Sequence, residues 1–198
     1  MNANYMSDIS FSTPESVEEK LIAANLVMQS LPEFYKLFSL KKEIILKHIS
    51  SEFFSGKSEV SDIKCIIKDS KVIAIISYLS STDLKILQIM SVQKLLSMTD
   101  SQDKNHVKQR LRHHLESVQP IQDDYFYLSR IAVLSEYRGK KLGQEALKYF
   151  IKLGSSYQKL ALHVNKENKP AISMYSRAGF EFSDESSYWD YPLMIKSN

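Results

Sequence analysis

Tyr125-Phe126-Tyr127-Leu128-Ser129-Arg130-Ile131-Ala132-Val133, followed closely by Arg138-Gly139-Lys140-Lys141-Leu142-Gly143, decides the fold. The first run is aromatic and β-branched and predicts a strand; the second is a basic, glycine-bearing turn. Beyond it the apolar spacing predicts a helix over 141–153, a strand over 160–164, a helix over 168–178 and a last strand over 188–195. A strand-helix-strand unit implies a parallel pair joined by a right-handed crossover. The expected fold class is therefore α+β (α/β), with a mixed central β-sheet flanked by helices.

Working back toward the N-terminus, Asp62–Lys68 and Lys71–Leu79 flank Asp69-Ser70 and predict a hairpin. Ahead of it, Ile9 and Phe11 suggest a short strand. Ser16 with Glu19 forms a capping box before the helical spacing of Val17, Leu21, Ala24 and Met28. Ser30 with Glu33 repeats that signal around Pro32, and a third helix is expected over 41–53 with Ile45 and Ile49 inward. The segment 81–122 is too long for a structureless connection and is expected to be a helical insertion, apolar in its first half and basic in its second. His113 and His114 lie about 100° apart on such a helix, which does not suit a shared metal; no metal site is expected.

Composition narrows the function classes. A chain of 198 residues, 43% of them hydrophobic, can bury one core, so a single domain over 1–198 is expected. The 26 basic residues nearly balance 23 acidic ones, which argues against a dedicated nucleic-acid or anionic-membrane surface. The sole cysteine, Cys65, lies in an apolar run and reads as a buried thiol. No membrane-length apolar stretch and no basic head with an apolar core occur, so a soluble cytoplasmic protein is expected.

The chain has only five glycines, and two stand in Arg138–Gly143, between a strand and a helix. Such a turn can aim backbone N–H groups and a helix N-terminus at one anion, which is how a diphosphate is held without a metal. Arg138, Lys140 and Lys141 add positive charge. Together with Asn168-Lys169-Pro170-Ala171-Ile172-Ser173-Met174-Tyr175-Ser176-Arg177-Ala178-Gly179-Phe180, this stretch closely resembles the GNAT N-acetyltransferase superfamily: its acyl-CoA pyrophosphate loop first, then its Asn, Ala, Tyr, Gly-Phe helix, in that order and with a strand between.

The resemblance implies a GNAT-like domain with acetyl-CoA as acyl donor and an amine on a small molecule or protein as acceptor. It implies two splayed parallel strands, around Ile131 and around Leu162, holding the pantetheine arm between them. Along Ile131, Ala132 and Val133, the backbone of the first and last would hydrogen-bond that arm, and the backbone from Gly139 through Lys140, Lys141, Leu142 and Gly143 to Gln144 would hold the diphosphate. Asn168 would contact the CoA, and Tyr175 would lie beside its sulfur.

Acetyl transfer requires an amine that loses a proton, a stabilised oxyanion and a protonated leaving thiolate. Tyr175 is the candidate acid. Two departures from the family pattern stand out: Lys141 where the loop usually has glycine, and Tyr127 and His163 where many members carry a glutamate. His163 is the candidate base, alternatively a satisfied strand histidine, with Asp123 and Asp124 able to act through water. No nucleophile suits an acetyl-enzyme, so direct attack is expected. The rival readings are a non-catalytic acyl-CoA-binding or sensing module, and a nucleic-acid binder using the basic stretch 104–112.

Overall fold

The computed structural model describes residues 9–121, 124–184 and 186–198. Strand β1 (Ser10–Ser12) leads into helix α1 (Val17–Ser30), where Ser16 Oγ accepts from the Glu19 N–H at 3.1 Å and Glu19 Oε2 accepts from the Ser16 N–H at 3.0 Å. That is the expected capping box. The second signal resolves differently: Pro32 does open α2 (Pro32–Lys36), but Ser30 donates its hydroxyl back to Val27 O at 2.6 Å and caps nothing. A serine in a last helical turn finds an unsatisfied carbonyl nearer than the next helix.

Helix α3 (Lys42–Glu52) buries Ile45 and Ile49, as expected. The hairpin β2 (Ile63–Lys68) and β3 (Lys71–Ser80) turns at Asp69 and Ser70, whose φ values of 50° and 60° suit a type I′ turn. Helices α4 (Ser81–Met98) and α5 (Lys104–Glu116) occupy the segment expected to be helical. α4 buries Leu84 and Leu95 but leaves Ile86, Ile89 and Met90 exposed, while α5 buries Val107 and Leu111.

The C-terminal half runs β4 (Tyr125–Val133), α6 (Leu142–Leu153), β5 (Lys159–His163), α7 (Lys169–Arg177), β6 (Glu181–Phe182) and β7 (Leu193–Ser197). The last strand starts later than the aromatic run suggests, after Pro192, which has no N–H to give to a ladder. Among the described residues the sheet has seven strands in the order β1-β2-β3-β4-β5-β7-β6, with β4 and β5 parallel. Helices α1 to α5 contribute to the core on one face, around Leu26, Phe38, Ile49, Leu95 and Leu111; α6 and α7 cover the other, around Phe150 and Tyr175. Cys65 is buried in the first of these cores.

An irregularity in β4 opposite β3 governs which face its side chains take. Ser77 pairs with Arg130, yet the next residue, Tyr78, pairs with Leu128, so Ser129 is an extra residue in β4. Such a bulge bends a strand and exchanges the two faces of its side-chain alternation. Before it, Phe126 and Leu128 pack with α6 and Tyr127 lies on the opposite face. After it, Ile131 and Val133 pack on the α6 side and Ala132 opposite, which puts Arg130 on the face of Tyr127.

Candidate active site

The parallel pairing of β4 with β5 runs from Tyr125↔Lys159 to Leu128↔Leu162 and stops there. β4 continues to Val133 along β3 alone, so the two strands part at the bulge. The fork expected around Ile131 and Leu162 is present, and the bulge is its physical cause, since the added twist carries β4 away from β5. On the open side of Ser129–Val133 no strand is paired among the described residues; there Ser129 O accepts from the Arg130 guanidinium and Val133 O from that of Arg138.

At the far end of β4, Gly139 has φ 76° and Lys141 has φ 62° and ψ 8°. Lys141 therefore holds the left-handed conformation that glycine adopts most easily, which accounts for glycine being usual at this place. Lys141 is also the residue just before α6, and the N–H groups of Leu142 and Gly143 belong to that helix's first turn, where no internal acceptor exists. Arg138 Nε donates to Val133 O at 3.2 Å, tying the turn to the strand end. Gly143 contributes in another way: a Cβ there would lie 3.2 Å from Met174 Sδ, so the glycine permits close packing of α6 on α7.

On the opposite face at the fork, Tyr127 Oη and His163 Nδ1 are 2.9 Å apart, and His163 Nε2 is 2.8 Å from Gln119 O. A carbonyl only accepts, so Nε2 carries the proton and Nδ1 accepts from the Tyr127 hydroxyl. Burial lowers the His163 pKa to about 4, against the smaller opposing effects of the Gln119 carbonyl and Glu59. The imidazole is thus neutral with both nitrogens engaged. Burial also raises the Tyr127 hydroxyl, and it pushes Tyr175 up to about 12. Tyr175 is electrostatically coupled to Tyr127, and its ring meets Phe180 edge-on at 6.2 Å.

The α7 helix that carries Tyr175 is closed at both ends by local chemistry. Asn168 Oδ1 accepts from the Ala171 N–H at 3.3 Å, capping the helix, so its side chain already has a structural task. Phe180 N–H donates to Tyr175 O and Gly179 N–H to Ser176 O, with Gly179 at φ 88°, a Schellman C-cap. Asp124, at φ 75°, stands just before β4, and Asp123 falls outside the described residues.

Several residues in this site carry no sequence signal. Arg130, 8% exposed, forms an ion pair with Glu59 and donates to Ser129 O at 2.7 Å. Glu59 also accepts from Gln88 Nε2 at 3.2 Å. This pair supplies a carboxylate near His163 from the loop before β2, not from either parted strand. His114 lies between Phe34 and Tyr191, with ring centroids 5.8 Å and 5.1 Å away, and walls the same face. Among the described residues no cluster of His, Cys, Asp or Glu is arranged to hold a metal, and no helix is long and apolar enough to cross a membrane.

Residues 105–180 match the model of the acetyltransferase (GNAT) family. No curated protein matches the chain. Solved structures share its fold at low identity. An N-acetyltransferase from Staphylococcus aureus Mu50 is 17% identical with a TM-score of 0.65, covering 94% of this chain and 98% of its own. The PaiA N-acetyltransferase of Thermoplasma acidophilum, in complex with coenzyme A, is 16% identical with a TM-score of 0.52 over 96% of this chain and 99% of its own. A GNAT-family acetyltransferase from Listeria monocytogenes 4b F2365 is 17% identical, TM-score 0.50, over 96% and 94%.

Proposed function

Because the chain has the GNAT fold and carries that family's acetyltransferase pattern over 105–180, we propose that it is an N-acetyltransferase moving an acetyl group from acetyl-CoA to an amine by direct attack. The observation that carries this reading is the fork after Leu128↔Leu162, with an anion-suited turn at one end and the Tyr127–His163 pair at the other. The backbone of Ile131, Ala132 and Val133 would line the pantetheine arm. The turn Arg138–Gln144 would hold the diphosphate through its N–H groups and its three cationic side chains. Coenzyme A in the T. acidophilum structure supports that ligand.

In the proposed chemistry the amine nitrogen attacks the thioester carbon and its proton passes to Tyr127 Oη, whose own proton moves to His163 Nδ1. The C–S bond then breaks, and Tyr175, kept protonated by burial, gives its proton to the thiolate. Asn168 acts at the CoA side through the helix it caps. The reading takes the whole chain as one cytoplasmic domain, with 81–122 as a helical insertion bordering the acceptor side, and with a small-molecule or protein amine as acceptor.

A second reading, a non-catalytic acyl-CoA sensor, is favoured by one observation: both His163 nitrogens are occupied. Release of free CoA from acetyl-CoA, followed across a panel of amines, separates the two. Amine-dependent release with an acetylated product in the mass spectrum supports the enzyme; tight acetyl-CoA binding with no turnover on any amine or on cell extract supports the sensor.

A further inference from the structure

Gln119 lies between α5 and β4, in a stretch whose described residues include an isolated parallel bridge between Val118 and Tyr191. All four of its polar groups are engaged. Its N–H donates to Tyr191 O at 3.1 Å, its side-chain Nε2 donates to Asp184 O at 2.9 Å, and its Oε1 accepts from the Leu193 N–H at 2.8 Å. Its backbone carbonyl accepts a hydrogen bond from the His163 Nε2–H at 2.8 Å. Next to it, Ser117 O accepts from the N–H groups of both Asp190 and Tyr191 at 3.1 Å.

These contacts form a clamp. The side-chain amide locks the 117–119 stretch to the loop that precedes β7, and the carbonyl held in place by that lock meets His163. We infer that Gln119 is a positioning residue that sets the tautomer of His163. The two neutral imidazole tautomers differ little in intrinsic energy, so the second nitrogen's hydrogen bond decides between them. With the Gln119 carbonyl at Nε2, the lone pair stays on Nδ1 and faces the Tyr127 hydroxyl. With the proton on Nδ1, donor would meet donor and the Tyr127–His163 contact would break. The insertion and the β7-side loop therefore act on the reacting end of β5 through one residue. The effect on turnover rests on the Tyr127–His163 reading above; the effect on the tautomer does not.

The test uses the full-length protein labelled with 15N-histidine and long-range proton–nitrogen correlation spectra at neutral pH, together with steady-state kinetics. The parent is expected to show His163 with Nε2 protonated and Nδ1 bare. Gln119→Ala removes both side-chain clamps and is expected to move the pattern toward a mixture of tautomers. It is expected to lower kcat by roughly tenfold or more through misplacement, with KM for acetyl-CoA within about twofold. Gln119→Glu keeps the acceptor for Leu193 and loses the donor to Asp184, so an intermediate pattern is expected; it also carries the test if the alanine variant fails to fold. An unchanged His163 pattern in the variants overturns the proposal, whatever kcat does. A shifted pattern with unchanged kcat overturns the role in the reaction. In that case parent-like turnover of Tyr127→Phe would assign the fault to the Tyr–His reading, and slowed turnover would assign it to Gln119.

Discussion

At His163, the burial that keeps the imidazole neutral also sets where its titration would show. Its pKa is lowered to about 4, so the base form is present above that value and is lost only as pH falls through it. If His163 receives the proton, kcat/KM should bend downward near pH 4 and not near the 6 to 7 of a free imidazole. His163→Gln should remove that bend, and a limb at higher pH that survives the substitution belongs to the acceptor amine. Lys141 offers a second test. Its φ of 62° is strained for a side chain with a Cβ, so Lys141→Gly should leave the thermal midpoint equal or slightly higher. The same change removes one exposed charge from the turn, worth about 0.2–1 kcal/mol, and acetyl-CoA affinity measured by calorimetry should fall by no more than about fivefold. A larger loss would mean that the ammonium contacts the phosphate directly.

The elements that were legible in the sequence are those whose signals are local. The Ser16–Glu19 capping box, the Asp69-Ser70 turn, the period of α6 and the Gly179 cap each lie within a few residues of what they govern. The glycine-bearing turn between β4 and α6 was legible for the same reason. Glu59 and Arg130 were not, because they stand 71 residues apart and meet only after β3 and β4 pair. Gln119 reads as a loop polar residue until β7 is beside it. The close approach of the turn after α6 to β4 and β5 was equally hidden, and it hangs on Gly154. A Cβ at that position would lie 2.4 Å from Leu160 Cδ2 and 2.5 Å from Phe126 Cδ1, both side chains of the packed sheet. Gly154→Ala should therefore cost about 1–3 kcal/mol, read as a drop in denaturation midpoint. An unchanged midpoint would show that the Leu160 and Phe126 rings and methyls have room to withdraw.

On the scale of the whole molecule, two buried histidines make acid the expected weakness. Burial lowers both His48 and His163 to about 4, and at His48 the charge of Lys94 acts in the same direction. The unfolded chain binds protons at these sites below about pH 6.5 while the folded chain does not. Stability is therefore full above that pH and is lost progressively down to about 4. The thermal midpoint should be flat from pH 8 to 7 and decline between 6 and 4, and His48→Gln should flatten part of that decline. A midpoint constant down to pH 4.5 would contradict the burial argument. The extra residue at Ser129 has a consequence of another kind, for how this chain can change its length. Because Arg130 and Leu128 already oppose the neighbouring residues Ser77 and Tyr78, Ser129→Ala should be tolerated, whereas deletion of Ser129 would leave every other side chain on its present face and remove the added twist that parts β4 from β5. At this point the chain counts residues more strictly than it reads them: substitutions accumulate cheaply, and a gap of one ends the site.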